Sequence, residues 1–347
     1  MQISRLRPVF WLVTAVLVSF SFGEVTFPSG GLTNTSFTDL KDHPQNSKTY
    51  NEFWTYHFDL SQNIQIVLNF SRANLGRLKD PVCGTDMAVI GFKGKNYTVA
   101  REYPEKNFQF SNAIEGLNVH KNIWFKGALP KAHQVYFNTK KNGVSYYVNL
   151  KFSEISQGKT WGDGVFKLGN EKVGIFIHIP RARVQGVVAI NNDTLVVEGT
   201  CYMDHTFQSD MGTKLVKYGY RYQAVGDNIH VGYILETLKQ YQKKIIGFGL
   251  TGTPGSLSLL KPENVYLSSS HKPRGVRMPK KMTIKYDSRS VVFTRDKDRS
   301  SWSILSEFRG IVKWTAKKFM GGEIIYFRGQ GKADGLKANY NFFGLNE

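Results

Sequence analysis

The residues of this chain best suited to chemistry stand together near its middle, as Asp204-His205. A histidine can transfer a proton or anchor a polar group near neutral pH. The flanking residues read as a β-strand, so we expect Tyr202 and Asp204 to share one face. His205 and Phe207 then share the other, which predicts His205 beside an aromatic wall with Asp204 as its support. The alternative is a hydrogen-bonded pair that only fixes a domain junction.

An aromatic strand opens the β-rich part of the chain, between Phe53 and Phe58. Trp54 and Tyr56 lie on one face of this strand by the same alternation. Such a face either packs in a core or lines a pocket for a long apolar ligand. Both interpretations are open at this point.

The elements that position these residues are predicted from period-two alternation, which recurs from Phe53 to Phe343. Ile175, Ile177 and Ile179, for example, are expected on one face of a single strand. Glycine-rich turn signals separate the alternating runs, and helical periodicity is nearly absent. We therefore expect an all-β chain whose halves meet near residues 205–215, each an antiparallel barrel of roughly eight strands. Barrels of that size hold packed side chains or one small ligand.

The run from Ile179 to His205 resembles a family of two-barrel, lipocalin-like proteins. The family includes the carotenoid hydratases, the fungal Diels–Alderases and the survival-factor-type lipid carriers. Its hydratase-like members carry a Gly-Tyr-x-Asp-His-Asn-Trp-Gly run, of which this chain keeps Tyr202, Asp204 and His205, with Phe207 in place of the Trp. The resemblance implies two lipocalin-like (calycin-type) barrels in tandem.

The resemblance also implies a hydrophobic small-molecule ligand, such as a lipid, polyene or terpenoid, and no cofactor. Hydration of an alkene needs an acid and an aromatic face that stabilises the cation. His205 would be the acid and Asp204 its support. Glu236 is the alternative acid, because it lies near the position where the hydratases have an Asp. The remaining pocket walls would be Trp54, Tyr56, Tyr202, Phe207 and Tyr233. Binding of this kind requires one barrel to enclose an apolar space.

Three alternatives remain open from the sequence. A pericyclase would need only to hold a polyene in a reactive shape, and would leave no catalytic signature. A non-catalytic carrier would dock on anionic membranes through its basic exterior. A structural or adhesive protein would have both barrels filled by side chains. Whether the chain is an enzyme, and its oligomeric state, are undecided at this stage.

The composition and the first residues predict an exported, basic protein. Lys and Arg number 46 against 27 Asp and Glu, giving a formal net charge of +19. Residues 1–23 resemble a cleaved signal peptide, which predicts a secreted or periplasmic location; an uncleaved anchor is the alternative. Residues 24–50, rich in Ser, Thr, Asn and Gly, are expected to be a poorly ordered segment, called the arm below. The barrels are predicted at 51–208 and 209–347.

Several common sites are not expected. Gly247-Phe-Gly249-Leu-Thr-Gly252 matches a dinucleotide glycine pattern but lacks a following helix, so bends in a strand explain it better. The eight histidines show no metal-binding spacing, and no metal is predicted. We prefer a solvated basic surface to nucleic-acid binding. Cys83 and Cys201 could be bridged or free, and sequons at Asn34, Asn69, Asn96 and Asn192 say little about glycosylation.

Overall fold

The part of the chain that the structure describes folds into two antiparallel β-sheets with very few helical residues. The computed structural model describes residues 23–45, 47, 49–74, 76, 80–224, 226–303, 305, 317–318 and 320–346. The predicted signal peptide therefore lies outside the described residues, apart from Gly23. No helix within the described ranges is long and apolar enough to cross a membrane.

Among the described residues the first sheet contains 15 strands, and eleven of them are hydrogen-bonded neighbours along one path. Its strands are β1 (Val25–Thr26), β2 (Leu32–Asn34), β3 (Tyr50–Leu60), β4 (Ile64–Asn74), β5 (Val82–Phe92), β6 (Lys95–Pro104), β7 (Gln109–Ser111), β8 (Gly116–His120), β9 (Ile123–Lys126), β10 (Gln134–Lys141), β11 (Val144–Ser153), β12 (Lys159–Trp161), β13 (Val165–Leu168), β14 (Glu171–Ile190) and β15 (Asp193–Gln208). Their order is β6-β5-β4-β3-β15-β14-β11-β10-β9-β8-β7, with β1, β2, β12 and β13 added beside β14.

The second sheet contains nine strands among the described residues. Neighbouring strands are consecutive in the chain except at one point, where β16 lies beside β24. Its strands are β16 (Val216–Ala224), β17 (Ile229–Thr237), β18 (Ile245–Thr253), β19 (Ser256–Leu260), β20 (Pro262–His271), β21 (Met278–Tyr286), β22 (Ser290–Ser303), β23 (Glu323–Ala333) and β24 (Leu336–Asn346). They run β19-β18-β17-β16-β24-β23-β22-β21-β20. The expectation of an all-β chain with two antiparallel barrels is confirmed.

Short helical turns join some of these strands. Those whose bounds are described include the α-helices α1 (Phe37–Leu40) and α2 (Gly212–Leu215) and the 3₁₀ turns Ser61–Asn63, Glu105–Asn107, Lys239–Tyr241 and Pro273–Gly275. Helix α2 lies between β15 and β16, so the boundary predicted at residues 208/209 falls in the connection between the two sheets.

The arm differs from the poorly ordered segment that its composition predicts. Strand β1 pairs with β13 and β2 pairs with β12, both antiparallel. Ser36 and Asp39 form a reciprocal capping box at the start of α1, which satisfies backbone donors that would otherwise be open. Leu40, at the end of α1, is buried in the first core. Caps and one apolar anchor therefore order a segment that is polar on average.

Large side chains fill the interior of both barrels. Within the first, the rings of Phe70 and Phe125 meet edge to face at 5.2 Å. Within the second, Phe293 and Phe342 do the same at 5.2 Å. Two cavities lined by described residues lie where the barrels meet and measure about 30 and 20 Å³, which is room for a few waters at most. Neither cavity has room for a hydrocarbon chain, and aromatic side chains pack in the interiors of both barrels.

A second hydrophobic core joins the two sheets to each other. Val173, Ile175, Ile177 and Tyr202, from the β14–β15 hairpin, pack in one cluster with residues of the second barrel such as Tyr233. Burial of apolar area of this kind is the main source of stability in proteins. The hairpin thus belongs to the first sheet by hydrogen bonding and to the second core by its outer face.

Candidate functional site

Strand β15 places Asp204 and His205 in different surroundings, as alternation predicts. Both side chains are 0% exposed. His205 lies opposite Trp54 in the register between β15 and β3, and the two rings stack at 4.5 Å. Asp204 points to the second barrel instead, where it meets Arg221 of β16. The two adjacent residues therefore belong to two separate polar clusters.

The imidazole of His205 is fixed by hydrogen bonds at both nitrogens. Its Nδ1 lies 2.9 Å from the carbonyl oxygen of Asp39 in the arm, and its Nε2 lies 2.7 Å from Oε1 of Glu52 on β3. A carbonyl oxygen can only accept, so Nδ1 carries the proton of the first bond. Nε2 is thereby directed at the carboxylate of Glu52.

Glu52 is a buried carboxylate surrounded by donors. Its Oε1 accepts the backbone N–H of His43 at 2.9 Å, and its Oε2 accepts the hydroxyl of Tyr50. Burial raises the pKa of Glu52, but hydrogen bonds from His205, His43 and Tyr50 outweigh it and hold the pKa at about 2. Glu52 therefore carries a negative charge inside the protein.

Aromatic rings enclose this cluster and leave one side partly open. The ring of His43 stacks on Phe176, at 5.2 Å, and on Phe207, at 5.0 Å. His178 stacks on His205 at 5.7 Å; burial lowers the pKa of His178 well below its usual value, and the histidines beside it act in the same direction. The side chain of His43 is 25% exposed. Solvent therefore reaches the cluster from the His43 side.

The arm covers the site with its own polar groups. The carbonyl of Asp39 accepts from His205, the carbonyl of Leu40 accepts from the Trp54 indole N–H at 2.8 Å, and the N–H of His43 donates to Glu52. Three side chains of the barrel are thus satisfied by the backbone of residues 39–43.

Asp204 instead anchors the junction of the barrels. The Arg221 guanidinium contacts both carboxylate oxygens, with Nε 2.6 Å from Oδ2 and Nη2 2.9 Å from Oδ1. It also lies over the ring of Tyr233, 4.0 Å from its centroid. Tyr202 is buried beside them, and burial, followed by the negative charge of Asp204, raises its pKa. Three of the predicted site residues, Tyr202, Asp204 and Tyr233, therefore come together here, around a cation and away from His205.

Glu236 and Tyr56 lie outside both clusters. Glu236 pairs with Tyr218 across β16 and β17 in the second barrel. Burial raises its pKa, while nearby lysines and Arg277 act against this. Tyr56 lies in the first core, with its hydroxyl 2.8 Å from Nε2 of His133. Of the predicted residues, only Trp54 and Phe207 share the surroundings of His205.

Sequence reasoning missed three groups that shape these clusters, namely His43, Glu52 and Arg221. For Glu52 a signal existed, because it shares a strand face with Trp54 and Tyr56 and is the one charge on that face of β3. A charge on an apolar face predicts a buried partner. His43 and Arg221 gave no such signal. His43, Glu52 and His205 are also the residues of this site that could hold a metal ion.

No protein-family profile and no curated protein matches the sequence. Solved structures do. A proposed AttH protein from Nitrosomonas europaea aligns with a TM-score of 0.59 at 10% identity, over 90% of this chain and 97% of that one. Kievitone hydratase from Nectria haematococca aligns with a TM-score of 0.53 at 11% identity, over 94% and 98%. CghA, solved with Sch210972, aligns with a TM-score of 0.58 at 10% identity, over 91% and 98%.

This chain has their two-barrel, lipocalin-like fold. The resemblance carried by the Tyr202–His205 run is confirmed at the level of the fold. At about one residue in ten identical, the similarity concerns the architecture and not the activity.

Proposed function

We propose that this chain binds a hydrophobic small molecule bearing a polar group, at the end of the first barrel covered by the arm. The observation that carries the proposal is the buried Glu52–His205 pair, enclosed by aromatic rings. A buried ion pair is often no more stabilising than apolar residues of the same volume. Titratable groups held in an enclosed cluster are more typical of a working site.

The arm indicates how a ligand would fit. Leu40 packs in the same core as Trp54 and accepts its indole N–H through the backbone carbonyl, and the Asp39 carbonyl accepts from His205 Nδ1. A lipid, polyene or terpenoid with a hydroxyl or carboxylate would replace both contacts. Because the interior is filled, binding requires the arm to move away from residues of β3 and β15.

Chemistry on the ligand is the finer part of the proposal. Once the arm moves and frees Nδ1 from the Asp39 carbonyl, His205 would donate that proton to an alkene of the bound ligand, and the surrounding aromatic rings would stabilise the resulting positive charge. Among the similar structures, one is a hydratase by name and another was solved with a small molecule. These neighbours support testing alkene hydration or rearrangement first. Asp204 would stabilise the junction of the barrels and have no role in the reaction, and Glu236 would have no role in the reaction either.

A fluorescent polyene acid such as cis-parinaric acid tests the binding site. We expect the wild-type chain to bind it, and His205→Gln to bind at least about tenfold more weakly, since one hydrogen bond to a charged group is worth roughly 1.5–3 kcal/mol. Glu236→Gln, which changes the other predicted acid, is the matched control and should bind like wild type. Equal thermal unfolding of the variants shows that the loss is local.

Two results would contradict this proposal. One is the absence of polyene binding by the wild-type chain. The other is a His205→Gln variant that binds as well as Glu236→Gln does. Extraction of the purified protein followed by mass analysis supplies an independent measurement, because a co-purifying apolar compound should be present in wild type and depleted in His205→Gln.

A carrier without catalysis is a second candidate, and the charge of the chain favours it. The excess of 19 positive charges attracts anionic headgroups. A carrier should bind anionic vesicles at low ionic strength and release them as salt rises past about 0.15 M. Vesicle binding that ignores salt and lipid charge would count against the carrier. Export directed by residues 1–23 remains a prediction.

A further inference from the structure

We propose that His43, Glu52 and His205 form a binding site for a divalent transition-metal ion, with Zn²⁺ as the probe. One ligand-type atom of each residue lies within 4.8 Å of those of the other two. Two imidazoles and one carboxylate are the donors of a known class of catalytic zinc site. Sequence spacing predicted no metal because the three residues come from the arm, β3 and β15.

The distances suit a single ion. Glu52 Oε1 lies 3.4 Å from His43 Nδ1 and 2.7 Å from His205 Nε2. Ligand atoms bound tetrahedrally to zinc at about 2.0–2.1 Å are separated by roughly 3.3 Å. His43 already meets this separation, and His205 would need to move by about half an ångström relative to Glu52.

The outer contacts hold the ligand atoms in suitable orientations. His205 donates Nδ1–H to the Asp39 carbonyl, which leaves Nε2 as the coordinating nitrogen. The Tyr50 hydroxyl donates to Oε2 of Glu52, so the ion would bind at Oε1, which also accepts the backbone N–H of His43. Metal-binding histidines commonly donate their second nitrogen to a backbone carbonyl in this way. A contact between Glu52 and His205 alone would not need His43 on the same oxygen.

The site is closed on one side and open on the other. Glu52 and His205 are fully buried, whereas His43 is partly exposed. Three protein ligands would leave a fourth position for water or for an oxygen of a bound molecule, as in zinc sites that act as Lewis acids. Because His43 belongs to the arm, the ion would tie the arm to the barrel.

The test is metal binding by the full chain without a histidine tag. We expect one Zn²⁺ per chain by native mass spectrometry, and Co²⁺ in the same site should give the intense visible absorption of a four-coordinate ion. His43→Asn should weaken Zn²⁺ binding by more than about 100-fold, since even outer contacts are worth 10–100-fold. His43 is partly exposed, so this variant should still fold.

His120→Asn is the matched control, because His120 stacks on Tyr103 of the barrel wall and contacts none of the three ligands. It should bind Zn²⁺ like wild type. A wild-type chain that takes up no Zn²⁺ or Co²⁺, or a His43→Asn variant that binds as tightly as His120→Asn, would overturn the proposal. Only the coupling between metal and arm rests on the proposed function. Polyene binding measured with chelator present distinguishes the failure of one proposal from that of the other.

Discussion

The ion pair between Asp204 and Arg221 permits a quantitative test of the structure. Replacing Asp204 by Ala removes the carboxylate and leaves the guanidinium of Arg221 buried at the junction of the barrels. We expect this change to lower the free energy of unfolding by about 3–5 kcal/mol, because an uncompensated buried charge is strongly destabilising. The prediction treats Asp204 as a structural residue, in contrast to its first interpretation as support for His205.

The magnitude follows from the geometry. The side chain of Asp204 is 0% exposed and that of Arg221 is 5% exposed, with contacts at 2.6 and 2.9 Å. Two unit charges about 4 Å apart interact by roughly 4 kcal/mol at an effective dielectric constant near 20. In the Asp204→Ala variant the ring of Tyr233 would still contact the Arg221 guanidinium. Because this contact partly stabilises the cation, we expect the loss in the free energy of unfolding not to exceed about 5 kcal/mol.

Urea unfolding followed by fluorescence and circular dichroism measures the loss. The matched control is Glu154→Ala, which removes one partner of the 2.8 Å Arg183–Glu154 pair, whose side chains are 59% and 60% exposed. That change should cost less than about 1 kcal/mol. Asp204→Leu combined with Arg221→Met should recover most of the stability, since both charges are then absent.

The reasoning is refuted if Asp204→Ala unfolds within about 1 kcal/mol of wild type. It is also refuted if the double variant is less stable than the single one. Either result would mean that the pair is accessible to water, and that the junction of the barrels is less closed than the structure indicates.

Three further predictions concern the first barrel. Burial lowers the pKa of His133 to about 4. The free energy of unfolding should therefore fall by about 3 kcal/mol between pH 6.5 and pH 4, where the unfolded chain binds a proton at this residue more readily than the folded chain. In urea unfolding at a series of pH values, His133→Gln should remove this part of the pH dependence. Gly174→Ala should cost about 1–3 kcal/mol in thermal unfolding because its Cβ would meet the ring of Phe207, whereas Gly255→Ala, with open space around it, should be neutral. Leu40→Ala should speed amide exchange in the arm while the barrel strands stay protected; equal exchange in the arm of both proteins would contradict the anchoring role of this side chain.

The sequence was sufficient for those features that depend on alternation alone. Period-two patterns identified the strands, and they correctly separated Tyr202 and Asp204 from His205. Alternation failed for Ile179, which was expected on the face of Ile175 and Ile177. Because the register of β14 shifts after Ile177, the side chain of Ile179 packs in the first core instead. A bulge inserts a residue without changing the local composition, so the pattern cannot reveal it.

The partners of the candidate residues could not be predicted, because they are fixed by contacts far apart in the chain. Glu52 and His205 are separated by 153 positions, and Asp39 and His205 by 166. Which side chains meet depends on the register between β3 and β15 and on where the arm crosses the barrel. Aromatic content likewise predicts rings in both interiors but not whether they leave space, since packing is decided by volumes in three dimensions.

The core shared by the β14–β15 hairpin and the second barrel bears on how the chain can be divided. A fragment that ended at Gln208 would expose one continuous apolar surface to water, formed by Val173, Ile175, Ile177 and Tyr202. Such a fragment should aggregate when it is expressed alone, and it should associate with the C-terminal half when the two are expressed together. The two halves are therefore expected to unfold thermally in a single transition. A chimera that joins either half to an unrelated domain should not fold unless these apolar residues are replaced by polar ones.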